Sequence, residues 1–226
     1  MDKLPTKTII DKMLRGGLEK NTITNIYGPA GSGKTNIILM SVLSALRLFK
    51  NKVIYVDTEG SFSLERFKQL GGTEEDLKKI IFIEVHEWKD QHEKILSIEK
   101  IIDTKDVSLI AVDSIVALYR IELEDDNYQK VNKQLATQYS ILSKISRNHN
   151  IPVIVTNQVY GSGDKVELSS RSISKYWSKV LVELKRTDRH NRRIAILRKH
   201  RSIPEGKKIE FELTEKGMKE IKFGIF

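Results

Sequence analysis

The chain has 226 residues, 39% of them hydrophobic and 31% charged, enough for one substantial α/β domain with a buried core and short for two. It contains no cysteine, which excludes a disulfide framework and a thiolate metal site, and its five histidines lack paired ligand spacing, so no structural metal is expected. The formal charge is +9 and unevenly placed: residues 165–208 hold 14 Lys and Arg against 4 Asp and Glu, out of totals of 39 and 30, so the rest of the chain is close to balance.

Strand and helix signals alternate over the first two-thirds. Residues 22–28, TITNIYG, form a β-prone run ending in glycine, and residues 35–49 are an apolar run of helical length. A strand is expected over 53–56 in KVIYVDTEG, then a helix in SLERFKQLGG stopped by Gly71 and Gly72. IIFIEV (80–85) is the third strand, and HEKILSIEKII places Ile95, Ile98 and Ile102 at helical spacing. SLIAVD is almost entirely apolar, as a parallel strand covered on both faces should be. Residues 128–149 carry Tyr128, Val131, Leu135, Tyr139, Leu142 and Ile145 at three- and four-residue steps, which predicts a long helix, and PVIVTNQV (152–159) is the next strand. Beyond it KVLVELKR, RRIAILRKH and KKIEFELT follow without helices between them, which suggests an antiparallel extension of a parallel sheet. The N-terminus lacks a signal-peptide core and no apolar run reaches membrane length, so the sequence reads as a soluble, cytoplasmic protein with no membrane partner.

GPAGSGKT, residues 28–35, fits the phosphate-loop pattern G-x-x-x-x-G-K-[ST] between a strand and a helix. Backbone N–H groups of Gly28, Ala30, Gly31, Ser32 and Gly33 would curl around phosphate oxygens, with Pro29 a non-donating member of the same nucleotide-binding loop and Lys34 reaching the β- and γ-phosphates of ATP. Thr35 offers a hydroxyl to Mg²⁺, Asn36 in the same first helical turn is expected among the nucleotide-binding residues, and Asp113, at the edge of SLIAVDS, is the carboxylate expected to share the metal. Glu59 stands just past the 53–56 strand, where a carboxylate could orient or deprotonate an attacking water.

In order and rough spacing, GPAGSGKT, YVDTEGSFSLERF, LIAVDSIVALYR and VIVTNQV resemble the ATPase core of RecA/RadA-type recombinases, nearest to the short archaeal paralogues, over about residues 14–212. The resemblance implies an α/β fold of the RecA-type P-loop ATPase core: a mostly parallel central sheet, helices on both faces and an antiparallel C-terminal extension. It divides a single domain into a short segment (1–21), a nucleotide-binding core (22–160) and a DNA-loop region with basic strands (161–226). It implies that Glu59 is the catalytic glutamate, that Arg66 packs on the adenine ring, and that Gln158 senses the γ-phosphate. It implies DNA and the main recombinase or other recombination proteins as partners, and a homodimer or short oligomer.

The expected function is an ATP- and DNA-binding protein of homologous recombination and repair, a weak ATPase that loads or regulates the main recombinase. Two alternatives stand beside it: an efficient DNA-stimulated ATPase that remodels intermediates, and a KaiC-like regulatory ATPase. The first DNA loop of the family is usually basic, but here it carries Glu122, Glu124, Asp125 and Asp126, and the second (160–172) looks short, so strand exchange by this chain is not expected. The single-stranded DNA surface, without sequence preference, is instead expected at Arg171, Lys175, Arg192, Arg193, Arg198, Lys199, His200 and Arg201, with Tyr176 and Trp177 read as core. Against the family register Pro204 and Glu205 place residues 199–202 where recombinases cap a neighbouring subunit's nucleotide, so those cations either hold DNA or reach an adjacent γ-phosphate.

Overall fold

The computed structural model describes residues 2–160 and 167–221. At the N-terminus β1 (Lys3–Leu4) pairs antiparallel with β2 (Leu18–Glu19) around α1 (Ile9–Met13), whose Thr8 cap accepts from Ile10 N. The alternating core follows: β3 (Ile23–Tyr27), α2 (Lys34–Phe49), β4 (Lys52–Asp57), α3 (Leu64–Gln69), α4 (Glu74–Leu77), β5 (Ile80–Glu84), α5 (Trp88–Ile102), β6 (Val107–Asp113), α6 (Ala117–Glu122), α7 (Tyr128–Asn148) and β7 (Val153–Asn157). A small ladder of β8 (Val159–Tyr160) and β9 (Glu167–Leu168) leads to α8 (Arg171–Trp177). Four strands complete the chain: β10 (Val180–Arg186), β11 (Arg192–Lys199), β12 (Lys208–Thr214) and β13 (Gly217–Glu220).

One nine-stranded sheet runs β13-β12-β11-β10-β3-β7-β6-β4-β5. Alternation along its central strands explains both faces. Leu109 and Ala111 of β6, with Val53 and Tyr55 of β4, pack with α2, while Ile110 and Val112, with Ile54 and Val56, pack with α5 and α7. Each fully buried Leu, Ile or Val contributes about 1.5–3 kcal/mol, so β6 alone ties the two helical layers together. The expected mostly parallel sheet with helices on both faces and an antiparallel extension is observed.

Two details differ from expectation. β10 runs parallel to β3, pairing Val180 with Thr24 and Glu183 with Tyr27, so the antiparallel part begins only at β11. The helix α8 precedes β10 and gave no periodic apolar signal, because serines fasten it to the sheet. Asn157 Nδ2 donates to Ser170 Oγ (3.0 Å) and Ser174 Oγ (2.8 Å), and Tyr139 Oη and Ser174 Oγ share a 2.7 Å bond. Buried polar groups that satisfy one another can dock a helix as firmly as an apolar stripe.

Candidate nucleotide site and basic surfaces

The C-terminal ends of β3, β4, β6 and β7 converge, and the loop leaving β3 is shaped by close approach. A Cβ on Gly28 would stand 2.3 Å from the carbonyl oxygen of Leu184 in β10, so only glycine lets the loop pass that strand. Gly31, at φ +70°, takes a left-handed turn in open space. Gly33 is the N-cap of α2 and supplies no side-chain cap, leaving first-turn amides for an anion. Ser32 Oγ is buried without a hydrogen-bond partner among the described residues, and Pro29 and Ala30 form the rim of the loop. Lys34 Nζ donates to Gly28 O (2.9 Å) and Pro29 O (3.0 Å) inside the loop, where burial lowers its pKa against the opposing charges of Asp113 and Glu59. These features fit a bound phosphate chain: free amides, an orphaned hydroxyl and a half-buried ammonium whose present partners are neutral carbonyls.

Asp113 ends β6 and is buried. Its carboxylate accepts from Thr156 Oγ1, from Ser61 Oγ (3.3 Å) and from Tyr55 Oη (3.4 Å), and it faces the Thr35 hydroxyl. Burial raises its pKa, the Thr156 and Thr35 hydroxyls lower it, and Glu59 and Asp57 raise it further. Thr35 and Asp113 thus form an oxygen donor pair that fits a hard cation such as Mg²⁺, whose charge would favour the ionised carboxylate.

Glu59 is exposed and held from two sides. The buried Asp57 accepts from the backbone N–H groups of Glu59 and Ser61 (both 3.1 Å) and Phe62 (3.0 Å), which folds residues 57–62 into a tight loop. Gln158 Nε2 donates to Glu59 Oε1 (2.8 Å), while Gln158 Oε1 accepts from Arg120 of α6. An amide between a carboxylate and a guanidinium has one favourable orientation, so Arg120 sets which end of Gln158 meets Glu59. Neither Asp57 nor Arg120 was singled out from the sequence; both lie inside the quoted runs YVDTEGS and VALYR, and only their position at strand and helix ends could have marked them.

Arg66 bridges three elements. Its Nε donates to Asn36 Oδ1 (2.7 Å), one Nη to Gln69 Oε1 (3.0 Å) and Glu215 O (2.7 Å), and the other to Thr214 O (2.8 Å). All of these bonds lie around the guanidinium edge.

The basic residues expected to form one surface are separated by the β10–β11 pairing. Arg192 and Arg193 sit at the phosphate-loop end, where Arg193 Nε donates to Gly31 O (2.9 Å) and Arg192 approaches Glu210 (3.8 Å). Arg198, Lys199, His200 and Arg201 lie towards the opposite end, and each has contacts within the chain. Arg198 pairs with the buried Glu183 through Nε and Nη2 (both 2.6 Å), and Lys199 Nζ donates to Ser178 O (2.9 Å) and to Lys175 O, capping α8. His200 Nδ1 accepts from Ser202 N (3.1 Å) and Ile203 N (3.2 Å), and Arg201 approaches Glu19 (3.8 Å). Lys175 is exposed on α8, and Arg171 is that helix's first residue. Tyr176, expected in the core, is 71% exposed. Lys165 and residues 161–166 of the second expected DNA loop lie outside the described residues.

The profile of the Rad51 family matches residues 5–221. The chain belongs to the Rad51 family. Among this member's relatives, a protein of Methanobrevibacter smithii named DNA repair and recombination protein RadB is 43% identical, covering 96% of this chain and 95% of its own. Proteins of the same name from Methanococcus maripaludis and Methanocaldococcus jannaschii are 41% and 37% identical, each over 93% of this chain. A crystal structure titled as the RadB recombinase superposes with a TM-score of 0.81 at 35% identity, over 97% of this chain and all of that one. The RecA-type core expected of the fold is therefore that of this Rad51 family member.

Proposed function

We propose that this Rad51 family member is an ATP- and DNA-binding protein of recombination and repair, a slow ATPase that loads or regulates a main recombinase. The observation that carries the reading is the gathering of Lys34, Thr35, Asp113, Glu59 and Gln158 at four adjacent strand ends, with Gln158 bonded to Glu59. In this reading the loop amides and Lys34 hold the β- and γ-phosphates, and Arg66, bonded only around its edge, keeps its faces for the adenine ring. Mg²⁺ held by Thr35 and Asp113 would supply charge neutralisation at the phosphates. Glu59 accepts the proton of the attacking water, and the bond from Gln158 to one of its oxygens lowers the basicity of that carboxylate, which supports slow turnover until Gln158 turns to a γ-phosphate.

The test measures ATP hydrolysis with and without single-stranded DNA, and DNA binding with and without ATP, for the wild type and Lys34→Ala. Slow hydrolysis abolished in Lys34→Ala, with nucleotide-dependent binding to DNA or recombinase, supports the reading. Fast DNA-stimulated turnover would assign the protein to direct remodelling instead, and absence of DNA binding in every nucleotide state would remove DNA from its partners.

A further inference from the structure

A cleft of about 640 Å³ opens at the end of the sheet opposite the phosphate loop, beneath the first residues of β3 and β10. Its walls are the β2–β3 connection with Lys20, the end of α7 with Arg147, the end of α8 with Tyr176 and Trp177, and Lys179 at the start of β10. Arg201 closes one side. Among the described residues the acids lining it are Asp2 and Glu19, and Glu19 is already approached by Lys3 (3.5 Å), His200 (3.3 Å) and Arg201 (3.8 Å). The cleft therefore carries a surplus of cations that its own carboxylates do not neutralise.

Its aromatic wall is equally unusual for a solvated surface. Tyr176 is 71% exposed, and its ring meets Trp177 edge-on at 5.4 Å and 86°, with Lys179 Nζ 6.0 Å from the Tyr176 centroid. The pair stands on a helix held rigidly, because Lys199 caps its last carbonyls and Ser174 is bonded beneath it. The exposed Tyr176 ring, edge-on to a half-buried Trp177 that packs on the core and beside unneutralised cations, matches a polyanion bearing flat apolar faces: phosphates for the cations, an unpaired base for the ring. A duplex, with bases stacked inward, would use the charges and leave the ring idle.

We propose that this cleft binds single-stranded nucleic acid through Lys20, Arg147, Lys179, Tyr176 and Trp177. The site is at the far end of the molecule from the loops that follow β6 and β7, and two of its cations, Lys20 and Arg147, lie outside the basic C-terminal segment. The inference rests on the DNA-binding part of the proposed function and gives it a location.

The test titrates labelled oligo-dT and a duplex of equal length by anisotropy, in parallel with tryptophan fluorescence of Trp88→Phe, which leaves Trp177 as the sole reporter of the two tryptophans. Quenching of Trp177 by oligo-dT is expected. Arg147→Glu with Lys179→Glu should weaken oligo-dT binding at least tenfold and flatten the salt dependence by about 1–2 in log–log slope. Tyr176→Ala should weaken oligo-dT by about fivefold or more and the duplex by less than twofold. ATP turnover without DNA and circular dichroism, unchanged in these variants, establish that they fold. If oligo-dT binds but the cleft variants bind as the wild type does, the cleft assignment is overturned and the DNA-binding reading stands. Equal loss for duplex and single strand in Tyr176→Ala overturns the single-strand class. No binding by the wild type at low salt overturns the DNA-binding reading itself.

Discussion

Replacing Glu59 by glutamine separates chemistry from architecture at this site. The substitution keeps the side chain's shape, and the bond from Gln158 Nε2 (2.8 Å) can be made to an amide oxygen as well as to a carboxylate. Glu59 is exposed, so the change in stability should stay within about 0.5 kcal/mol, or about 2 °C in Tm for a chain of this size. On the proposed reading, what disappears is the base. A positioned general base contributes about 10²–10⁴-fold, equivalent to about 2.7–5.4 kcal/mol of barrier, so single-turnover hydrolysis of radiolabelled ATP should fall by at least two orders of magnitude with nucleotide affinity retained. Asp57→Asn is the companion variant. It keeps one acceptor oxygen but turns an amide donor towards the Phe62 N–H, losing a buried charge-assisted bond of about 1.5–3 kcal/mol. It should lower Tm by about 3–12 °C and slow hydrolysis by letting Glu59 move. Hydrolysis by Glu59→Gln within threefold of wild type, measured above the Lys34→Ala background, would refute the role of Glu59.

Other expectations follow from single contacts. Arg120→Ala frees the Gln158 amide, and hydrolysis should change severalfold while Tm stays within about 2 °C, because the Arg120 side chain is exposed; parallel kinetics and melting curves check both. Gly28→Ala should abolish nucleotide binding and lower Tm, since its Cβ collides with Leu184 O, whereas Gly31→Ala, in open space, should cost only about 1–2 kcal/mol of backbone strain and still bind, as isothermal titration would record. His200 supplies the pH test. Its ring is fully buried, and burial, with Lys3, Arg201 and Arg15, lowers its pKa against the attraction of Glu19. A depressed folded pKa means the unfolded chain binds the proton more readily, so this stability is complete above about pH 6.5 and is lost as pH falls towards the folded value. Tm should drop more between pH 7.5 and 5.5 for wild type than for His200→Asn, which keeps an acceptor for Ser202 N; an equal drop would exclude His200 as the cause.

What could be read from the sequence depended on how strongly each element's physics is written in local pattern. The strand–loop–helix around GPAGSGKT, the apolar run ending at Asp113 and the stripe on α7 declare themselves, since each satisfies a spacing rule within a few residues. Helix α8 did not, because beside Ile173 and Trp177 its buried positions are Ser174 and the capping Ser170 and Ser178, residues that also compose loops. The exposure of Tyr176 was equally hidden, since aromatic residues are core by default and only the end of α8 turns this one outward. Arg120 and Asp57 act through a neighbour's amide or backbone, and such second-hand contacts leave no trace in spacing.

The division of the basic segment has an electrostatic consequence. Seven residue steps separate Arg192 from Lys199 along β11, about 23 Å at strand rise, whereas the screening length at physiological salt is about 8 Å. The cations beside the phosphate loop and those beside the cleft therefore act as separate charges and not as one field, although the sequence presents them as a single run. A polyanion in the cleft would scarcely alter the potential felt by Lys34. Any dependence of DNA binding on nucleotide must then travel through packing, and one buried connection reaches both ends. Asn157, the last residue of β7 and adjacent to Gln158, is hydrogen-bonded to Ser174 of α8 and to Ser170 at its N-cap, and the last residues of that helix are Tyr176 and Trp177. A buried polar network tolerates few arrangements, so movement of Gln158 towards a γ-phosphate would be resisted or transmitted by the same helix that forms the cleft wall.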